Sequence, residues 1–419
     1  MKRVELASKS IKAYESHVNR VALAEIEALA APLRGARILH LNATAYGGGV
    51  AEILPTLTAL QRDLGMEAEW HVLSGTDDFF DLTKKLHNCL QGMEMDFTPS
   101  HVGVYLKTLE ANTEVFGRDW DIVVVHDPQP AGLTGILDGR RTGHWIWRCH
   151  VDTSTPGASA VEFLAPYMSY YDVSVFTLAD YRVTPLSPNR TEFIYPSIDP
   201  LAPKNQCLSG SLARQILASR FDIDVSRPIV TQVSRFDPWK DPLGVIDAYR
   251  AVKREVPAVQ LALVGNLADD DPEGIEYHQR TLQYAGDDPD IHVLSTLDRL
   301  SREEITHALE INAFQTGSDV IVQKSTREGF GLVVTEAMWK GAPVVAGRVG
   351  GIRHQIRDGA NGYLASDVDE CADRVMELLL NPRLRREMGF KARQSVQERF
   401  LTPRHVADYL RLFHSLLNG

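Results

Sequence analysis

Residues 229–241 read IVTQVSRFDPWKD. Positions 229–234 carry three β-branched aliphatic side chains and a threonine, a pattern that predicts a strand. Arg235 and Lys240 follow five positions apart, in a turn punctuated by Pro238. Toward the C-terminus the pattern repeats, and strands are expected at 260–264, 292–294, 320–323 and 344–346 with helices between them. One helix is expected to open at Ser301, with Glu304 three residues on in a capping-box pattern. Another opens at Asn381-Pro382 and places Leu384, Met388 and Ala392 on one face. Toward the N-terminus a separate series runs through 36–42 (ARILHLN), 68–73, 121–126 (DIVVVH), 145–150 (WIWRCH), 172–178 and 192–195. Between them a helix at 50–64 repeats Ile53, Leu57, Leu60 and Leu64 at helical spacing.

Short strands alternating with longer helices predict parallel sheets covered by helices. Residues 197–228, with several prolines and a Ser-Gly-Ser, separate the two series. The expected fold class is α/β: two Rossmann-like doubly wound parallel-sheet domains, at 1–200 and 201–419, facing a central cleft. A helix at about 402–418 is available to pack back on the first domain. In such sheets ligands bind outside the carboxyl ends of the strands, so the residues just after each strand carry the chemistry.

Composition narrows the function classes. The chain has 419 residues, 44% hydrophobic and 24% charged, which fits a folded globular protein and excludes general disorder. No run approaches the ~18 apolar residues of a membrane span. The charged N-terminus has no apolar stretch behind it, so no secretory signal is expected. Cys89, Cys149, Cys207 and Cys371 form no CxxC pair, which argues against a zinc module or a disulfide framework and fits a reducing cytoplasm. A net charge of -11 opposes general binding to nucleic acid or an anionic membrane. A phosphorylated substrate would therefore need cations placed locally.

Four constellations meet that description. Gly47-Gly48-Gly49 follows the strand at 36–42 and precedes a helix, where glycine lets backbone approach a ligand and the helix start offers N–H groups. The bland alternative is a tight strand-to-helix turn. Arg235 and Lys240 supply a planar fork and a point charge for a diphosphate, against the alternative of a solvated surface pair. Glu328-Gly329-Phe330-Gly331-Leu332-Val333-Val334-Thr335-Glu336 brackets a Gly-x-Gly turn with two glutamates and is the most specific signal in the chain. Its central amides open a helix suited to an anion, and ionised carboxylates accept hydrogen bonds from sugar or ribose hydroxyls. The alternative is a glutamate favouring a helix N-terminus. Finally, His126-Asp127 and His150-Val151-Asp152 each follow a first-series strand and point toward the cleft. Asp269-Asp270-Asp271 reads as a solvated turn rather than a metal site, and the Trp145/Trp147 alternation as a strand pattern of core and surface faces rather than a stacking platform.

These features together resemble the retaining GT-B glycosyltransferases of family 4, which contains sucrose- and trehalose-synthesising enzymes. The runs HLNATAYGGGVAEIL, LHNCLQG, VVHDPQPA, WRCHVDTSTP, QVSRFDPWKD, DDPEG and REGFGLVVTEAMWKG are similar to its trehalose-forming members, over nearly the whole chain. The resemblance implies a cytoplasmic hexosyltransferase that joins NDP-glucose, ADP- or UDP-linked, to free glucose, releases NDP and is reversible. No cofactor is implied beyond Mg²⁺ as a nucleotide counter-ion, and no nucleic acid or membrane partner. A homodimer is compatible with it. By position, Arg235 and Lys240 would hold the diphosphate and Glu336 the ribose. Glu328 with Gly329, Phe330, Gly331 and Leu332 would hold the donor glucose, and Gly48 and Gly49 would approach the phosphates. His150 would lie by the donor sugar and Asp127 near the acceptor, with His87, Asn88, Gln91 and Asp152 as further acceptor-side residues.

Two mechanisms stay open at the level of sequence. The leaving phosphate could accept the acceptor's proton in a same-face attack, or Asp127 or Asp152 could act as nucleophile in a double displacement. Two other functions use the same residues: a phosphate-dependent trehalose phosphorylase, in which a ribose contact at Glu336 has no purpose, and a non-catalytic sugar-nucleotide sensor. For the acceptor, free glucose is expected over glucose 6-phosphate. Asp127, Asp152, His87, Asn88 and Gln91 suit neutral hydroxyls, whereas Arg148, of undetermined facing, and Lys84 and Lys85 on a helix are the cations nearby.

Overall fold

Apolar residues at consecutive strand positions require cover on both faces of a sheet, and the chain meets that requirement twice. The computed structural model describes residues 1–46, 48–137, 139–267 and 272–418, which divide into two units. Gly47 and Asp269, Asp270 and Asp271 lie outside the described residues. Unit 1 is Met1–Ser197 together with the last helix, Thr402–Leu417, and unit 2 is Ile198–Leu401.

Unit 1 holds β1 (Lys2–Arg3), β2 (Arg37–Asn42), β3 (Glu67–Val72), β4 (Ile122–His126), β5 (His144–Arg148), β6 (Val173–Phe176) and β7 (Arg190–Phe193). They form one sheet in the order β1-β3-β2-β4-β5-β6-β7, parallel except for β1. Ile122 to Val125 of β4 are fully buried at its centre, paired in register with Ile38 to Leu41 of β2. Trp145 and Trp147, two positions apart on β5, point to the same face and are both buried in one core cluster.

Unit 2 holds β8 (Ile229–Val233), β9 (Gln260–Gly265), β10 (Ile291–Ser295), β11 (Val320–Gln323), β12 (Val344–Gly347) and β13 (Tyr363–Ala365). All are parallel, in the order β10-β9-β8-β11-β12-β13. The helix expected to start at Ser301 spans Glu304–Gly317 and is capped instead by Glu303, whose carboxylate accepts from the amides of Ile305 at 3.1 Å and Thr306 at 2.7 Å. An acidic side chain one residue before the helix satisfies two orphan amides that the Ser301 hydroxyl, farther back, does not reach. The Pro382–Arg399 helix starts where Asn381-Pro382 predicted, and Met388 and Ala392 are buried.

Each sheet reverses its order of growth once. In unit 1 the chain builds β2 and β3, then returns past β2 to β4. In unit 2 it builds β8, β9 and β10, then returns to β11. The loops after β2 and β4, and after β8 and β11, therefore diverge and leave a crevice at the carboxyl ends of the strands. Among the described residues no helix is long and apolar enough to cross a membrane.

The last helix belongs to unit 1 by packing, although it follows unit 2 in the chain. Val406, Tyr409, Leu410 and Phe413 recur at helical spacing and are buried. Arg411 pairs with Glu25 at 2.6 Å, and Arg404 donates to the Tyr195 carbonyl at 2.9 Å. Phe413→Ala should cost about 3–5 kcal/mol, the range for truncating a fully buried aromatic side chain. Urea unfolding of the full chain checks this, and a loss below about 1 kcal/mol would show that the helix is not part of the unit 1 core.

Candidate functional site

In unit 2 the loop after β8 is shaped by its own side chains. Asp237 caps the short 3-10 turn Pro238–Lys240, accepting from the Lys240 amide at 3.0 Å. Arg235 points outward, with 70% of its side chain exposed and an ion pair to Asp237 at 3.3 Å. Lys240 turns inward, and its Nζ donates to Glu328 Oε2 at 2.5 Å. The loop after β11 is thus drawn onto the loop after β8. The Thr326 amide adds a bond to the Trp239 carbonyl at 2.8 Å, and Lys324 pairs with Asp241. Lys240 and Glu328, expected to hold different parts of a ligand, are in direct contact with each other.

From Glu328 the chain passes through Gly329 and Phe330 to Gly331, whose φ of 84° is the left-handed conformation that glycine adopts without strain. Gly331 caps the helix Leu332–Trp339, whose first amides have no acceptor within the helix. Gly351 lies so close that a Cβ there would fall 2.6 Å from the Gly329 carbonyl oxygen. Gln355, fully buried, donates to the Phe330 carbonyl at 2.5 Å and accepts from Thr335 Oγ1 at 2.7 Å. Sequence reading missed both supports; the Gly350-Gly351 pair was the available signal.

Glu336 sits inside that helix, 2% exposed. Lys204 Nζ meets one of its oxygens at 2.7 Å and Gln315 Nε2 the other at 3.3 Å. Burial pushes its carboxyl up, but the ammonium groups of Lys204 and Lys340 more than offset this and hold it below the usual carboxylate range. It is an ionised, deeply set acceptor rather than the helix-terminal glutamate of the bland alternative. Lys204 comes from the 3-10 turn Pro203–Asn205, far away in sequence, and no local pattern marks it.

In unit 1, Gly48 has a φ of 87° and caps the helix Gly49–Asp63, and both glycines are exposed. Across the reversal, Asp127 follows β4 in the left-handed conformation, with a φ of 63°. A non-glycine residue is held there only when its surroundings enforce it. Its amide donates to the Arg148 carbonyl at 2.8 Å, its carbonyl accepts from Trp147 Nε1 at 3.0 Å, and its Oδ1 accepts from the His150 amide at 2.7 Å. Asp127 and His150 are therefore brought together at the ends of β4 and β5. Burial pushes the Asp127 carboxyl up to about 6.

Other expected residues lie differently. Asp152 is 4% exposed, and its Oδ1 holds the Ser154 amide at 3.0 Å and hydroxyl at 2.6 Å, so that oxygen is committed to a local turn. His87, Asn88 and Gln91 are half-buried at the C-terminal end of the helix Asp77–Leu90. Arg148 is fully buried and donates to the Ile194 carbonyl at 2.8 Å and to Thr177 Oγ1 at 3.3 Å. Its guanidinium is spent inside unit 1. Lys84 and Lys85 are exposed on the Asp77–Leu90 helix. Among the described residues no group of three or more His, Cys, Asp or Glu is placed to hold a metal ion.

Comparison with known proteins supplies the context. Residues 40–183 match the family described as trehalose synthase, N-terminal domain, and residues 214–395 match glycosyl transferases group 1. The chain is 49% identical to a trehalose synthase of Rubrobacter xylanophilus, covering 100% of this chain and 99% of the relative. It is 43% identical to a trehalose synthase of Pyrococcus horikoshii, covering 99% of each. A trehalose phosphorylase of Pleurotus pulmonarius is more distant, 26% identical over 90% of this chain and 56% of the relative. In structure, a UDP-forming α,α-trehalose-phosphate synthase from Burkholderia xenovorans shares the fold with a TM-score of 0.71 at 16% identity, covering 92% of this chain and 100% of that one. The architecture is GT-B.

Asp127 yields a test that needs no ligand. Its pKa of about 6 in the folded chain exceeds the ordinary 3.8. The stability it contributes is therefore full below about pH 4 and lost as the pH rises through about 6. Asn tolerates the left-handed conformation and has no such titration. Relative to Asp127→Asn, the wild-type chain should lose stability between about pH 4 and pH 6.5 in urea unfolding. Parallel stability profiles for the two would place Asp127 at its ordinary value.

Proposed function

The chain belongs to the trehalose synthase family, and on that premise we propose that its trehalose-forming glycosyl transfer takes an α-glucosyl group from ADP- or UDP-glucose to free glucose, with retention and release of NDP. It is an enzyme of the hexosyltransferase class. The observation that carries the proposal is the Lys240–Glu328 contact beside the start of the Leu332–Trp339 helix, at the reversal between β8 and β11. A cation, a carboxylate and a helix start in one place suit the junction between a sugar and a diphosphate, which needs positive charge on one side and a hydroxyl acceptor on the other.

As the C1–oxygen bond breaks, negative charge grows on the departing diphosphate. Arg235, exposed and extended, Lys240 and the first helix amides stabilise that charge, and this lowers the barrier rather than merely binding substrate. Glu336, ionised and buried, accepts hydrogen bonds from the ribose hydroxyls, a contact that a phosphate-dependent enzyme would not use. Gly48 and Gly49 offer an exposed helix start suited to an anionic group. The departing phosphate takes the proton of the acceptor hydroxyl in a same-face attack. Asp152 has an oxygen committed to Ser154, and Asp127 Oδ1 to the His150 amide, which disfavours either as nucleophile. Isolation of a glycosyl adduct on Asp127 or Asp152 would overturn that step. No cofactor is invoked, Mg²⁺ serving only as a counter-ion of the nucleotide. The cysteines, unpaired among the described residues, accord with the cytoplasm as the site of action.

Incubation of the enzyme with glucose and each NDP-glucose, with the product read by NMR, tests the proposal. A non-reducing α,α-1,1-linked disaccharide is expected. Trehalose cleavage that requires inorganic phosphate and no nucleotide would replace it with the phosphorylase. Arg235→Ala and Lys240→Ala should each lower kcat by roughly 10²–10³, the loss seen when a donor to a developing charge is removed. Near-normal turnover in both would remove them from the leaving-group site. Because Arg148 is consumed by the interior, kcat/KM for glucose should exceed that for glucose 6-phosphate. The opposite preference would show that unit 1 offers a phosphate anchor elsewhere.

A further inference from the structure

Behind His150, unit 1 holds a line of buried polar side chains that the transfer chemistry leaves unused. Gln61 and His40 are fully buried and His126 is 1% exposed. Gln61 Oε1 lies 3.0 Å from His40 Nε2, His40 Nδ1 lies 3.0 Å from His126 Nε2, and His126 Nδ1 lies 3.0 Å from His150 Nε2. The His40 and His126 rings are near-parallel, as are those of His126 and His150, with centroids 5.3 Å apart in both pairs. Burial pulls His40 down to about 4 and holds His126 and His150 well below the usual histidine range. At neutral pH each ring therefore carries one proton.

A neutral imidazole has one N–H and one bare nitrogen, and every contact in the line needs one of each. The amide oxygen of Gln61 can only accept, so His40 carries its proton on Nε2. His40 Nδ1 is then bare and takes the Nε2–H of His126. His126 Nδ1 is bare in turn and takes the Nε2–H of His150. The orientation of one amide thus fixes three tautomers, since the proton on each ring is set by the bond at its other nitrogen. It leaves Gln61 Nε2 buried without a hydrogen-bond partner among the described residues. An unpaired buried N–H is rarer than an unpaired carbonyl oxygen, so this orientation carries a cost that the turned-over amide would not. His150, at the outer end, is only partly buried.

We propose that Gln61, His40 and His126 are positioning residues that hold His150 in its Nε2–H tautomer and present its Nδ1 as a hydrogen-bond acceptor to a donor-sugar hydroxyl. The tautomer follows from unit 1 alone. Its use in catalysis rests on the placement of His150 beside the donor sugar proposed above. Turning the Gln61 amide over would reverse every proton in the line and make His150 Nδ1 a donor.

The full chain with ¹⁵N-labelled histidine, without ligand at pH 7, gives each ring's tautomer by long-range ¹H–¹⁵N correlation. His40, His126 and His150 should all be Nε2–H, and His150 found as Nδ1–H overturns the proposal without any variant. Gln61→Met, close in volume, removes the acceptor at the inner end. It should convert His150 to a mixture of tautomers and lower kcat roughly tenfold, about the effect of one hydrogen bond, with KM for glucose little changed. An unchanged His150 tautomer in Gln61→Met defeats the line. A changed tautomer with normal kcat leaves the line intact and instead removes His150 from the donor sugar.

Discussion

A lysine ammonium against each of two glutamates is the interaction on which the unit 2 site depends. Lys240 on Glu328 draws the loop after β11 onto the loop after β8, and Lys204 on Glu336 sets a charged acceptor inside a helix. Glu336 is almost completely buried, where a lone carboxylate would take up a proton rather than stay charged. Removing one partner of such a pair leaves the other charge uncompensated, at a typical cost of about 3–5 kcal/mol in fully buried cases. The pairs therefore hold geometry and charge state together. In a chain of net charge -11, they keep two lysine cations beside the glutamates of the unit 2 site.

Unit 1 solves a different problem with the same topological device. It places few formal charges at its reversal point and relies on backbone constraint. Asp127 is held in the left-handed conformation by bonds to three residues at and just beyond the end of β5: the Trp147 indole, the Arg148 carbonyl and the His150 amide. Arg148, the cation nearest in sequence, is turned into the core, where its terminal nitrogens donate to the Val175 and Ile194 carbonyls. The half-site that remains is neutral or weakly acidic, suited to hydroxyls rather than phosphate.

Much of the fold was legible because parallel strands buried on both faces leave apolar runs that need no partner information. The runs 36–42, 121–126, 229–234 and 320–323 fall on β2, β4, β8 and β11 within a residue. β1 and β13 escaped because two and three residues are too few for a period to show. Trp145 and Trp147, at strand spacing, share one face of β5, and both are buried in the same cluster. At the site, the strand pattern was enough to put Arg235, Lys240, Glu328, Asp127 and His150 in the loops after their strands, where the structure has them. Their partners were not legible. Lys204 reaches Glu336 from a turn 132 positions earlier, as their numbers give, and Gln61 and His40 read as ordinary helix and strand positions. Such contacts are set by tertiary packing, which leaves no local spacing to read.

The central claim is that unit 2 grips a nucleotide through an ionised Glu336 at the ribose and the Arg235–Lys240 cations at the diphosphate. Calorimetric titration of the wild-type chain with a nucleoside diphosphate, and with its 2′,3′-dideoxy analogue, tests it most directly. Hydrogen bonds to a charged group are worth about 1.5–3 kcal/mol. Loss of both ribose hydroxyls should therefore weaken binding by roughly tenfold or more, through Kd alone. Equal affinity for the two ligands would contradict the account and return Glu336 to a purely structural partner of Lys204.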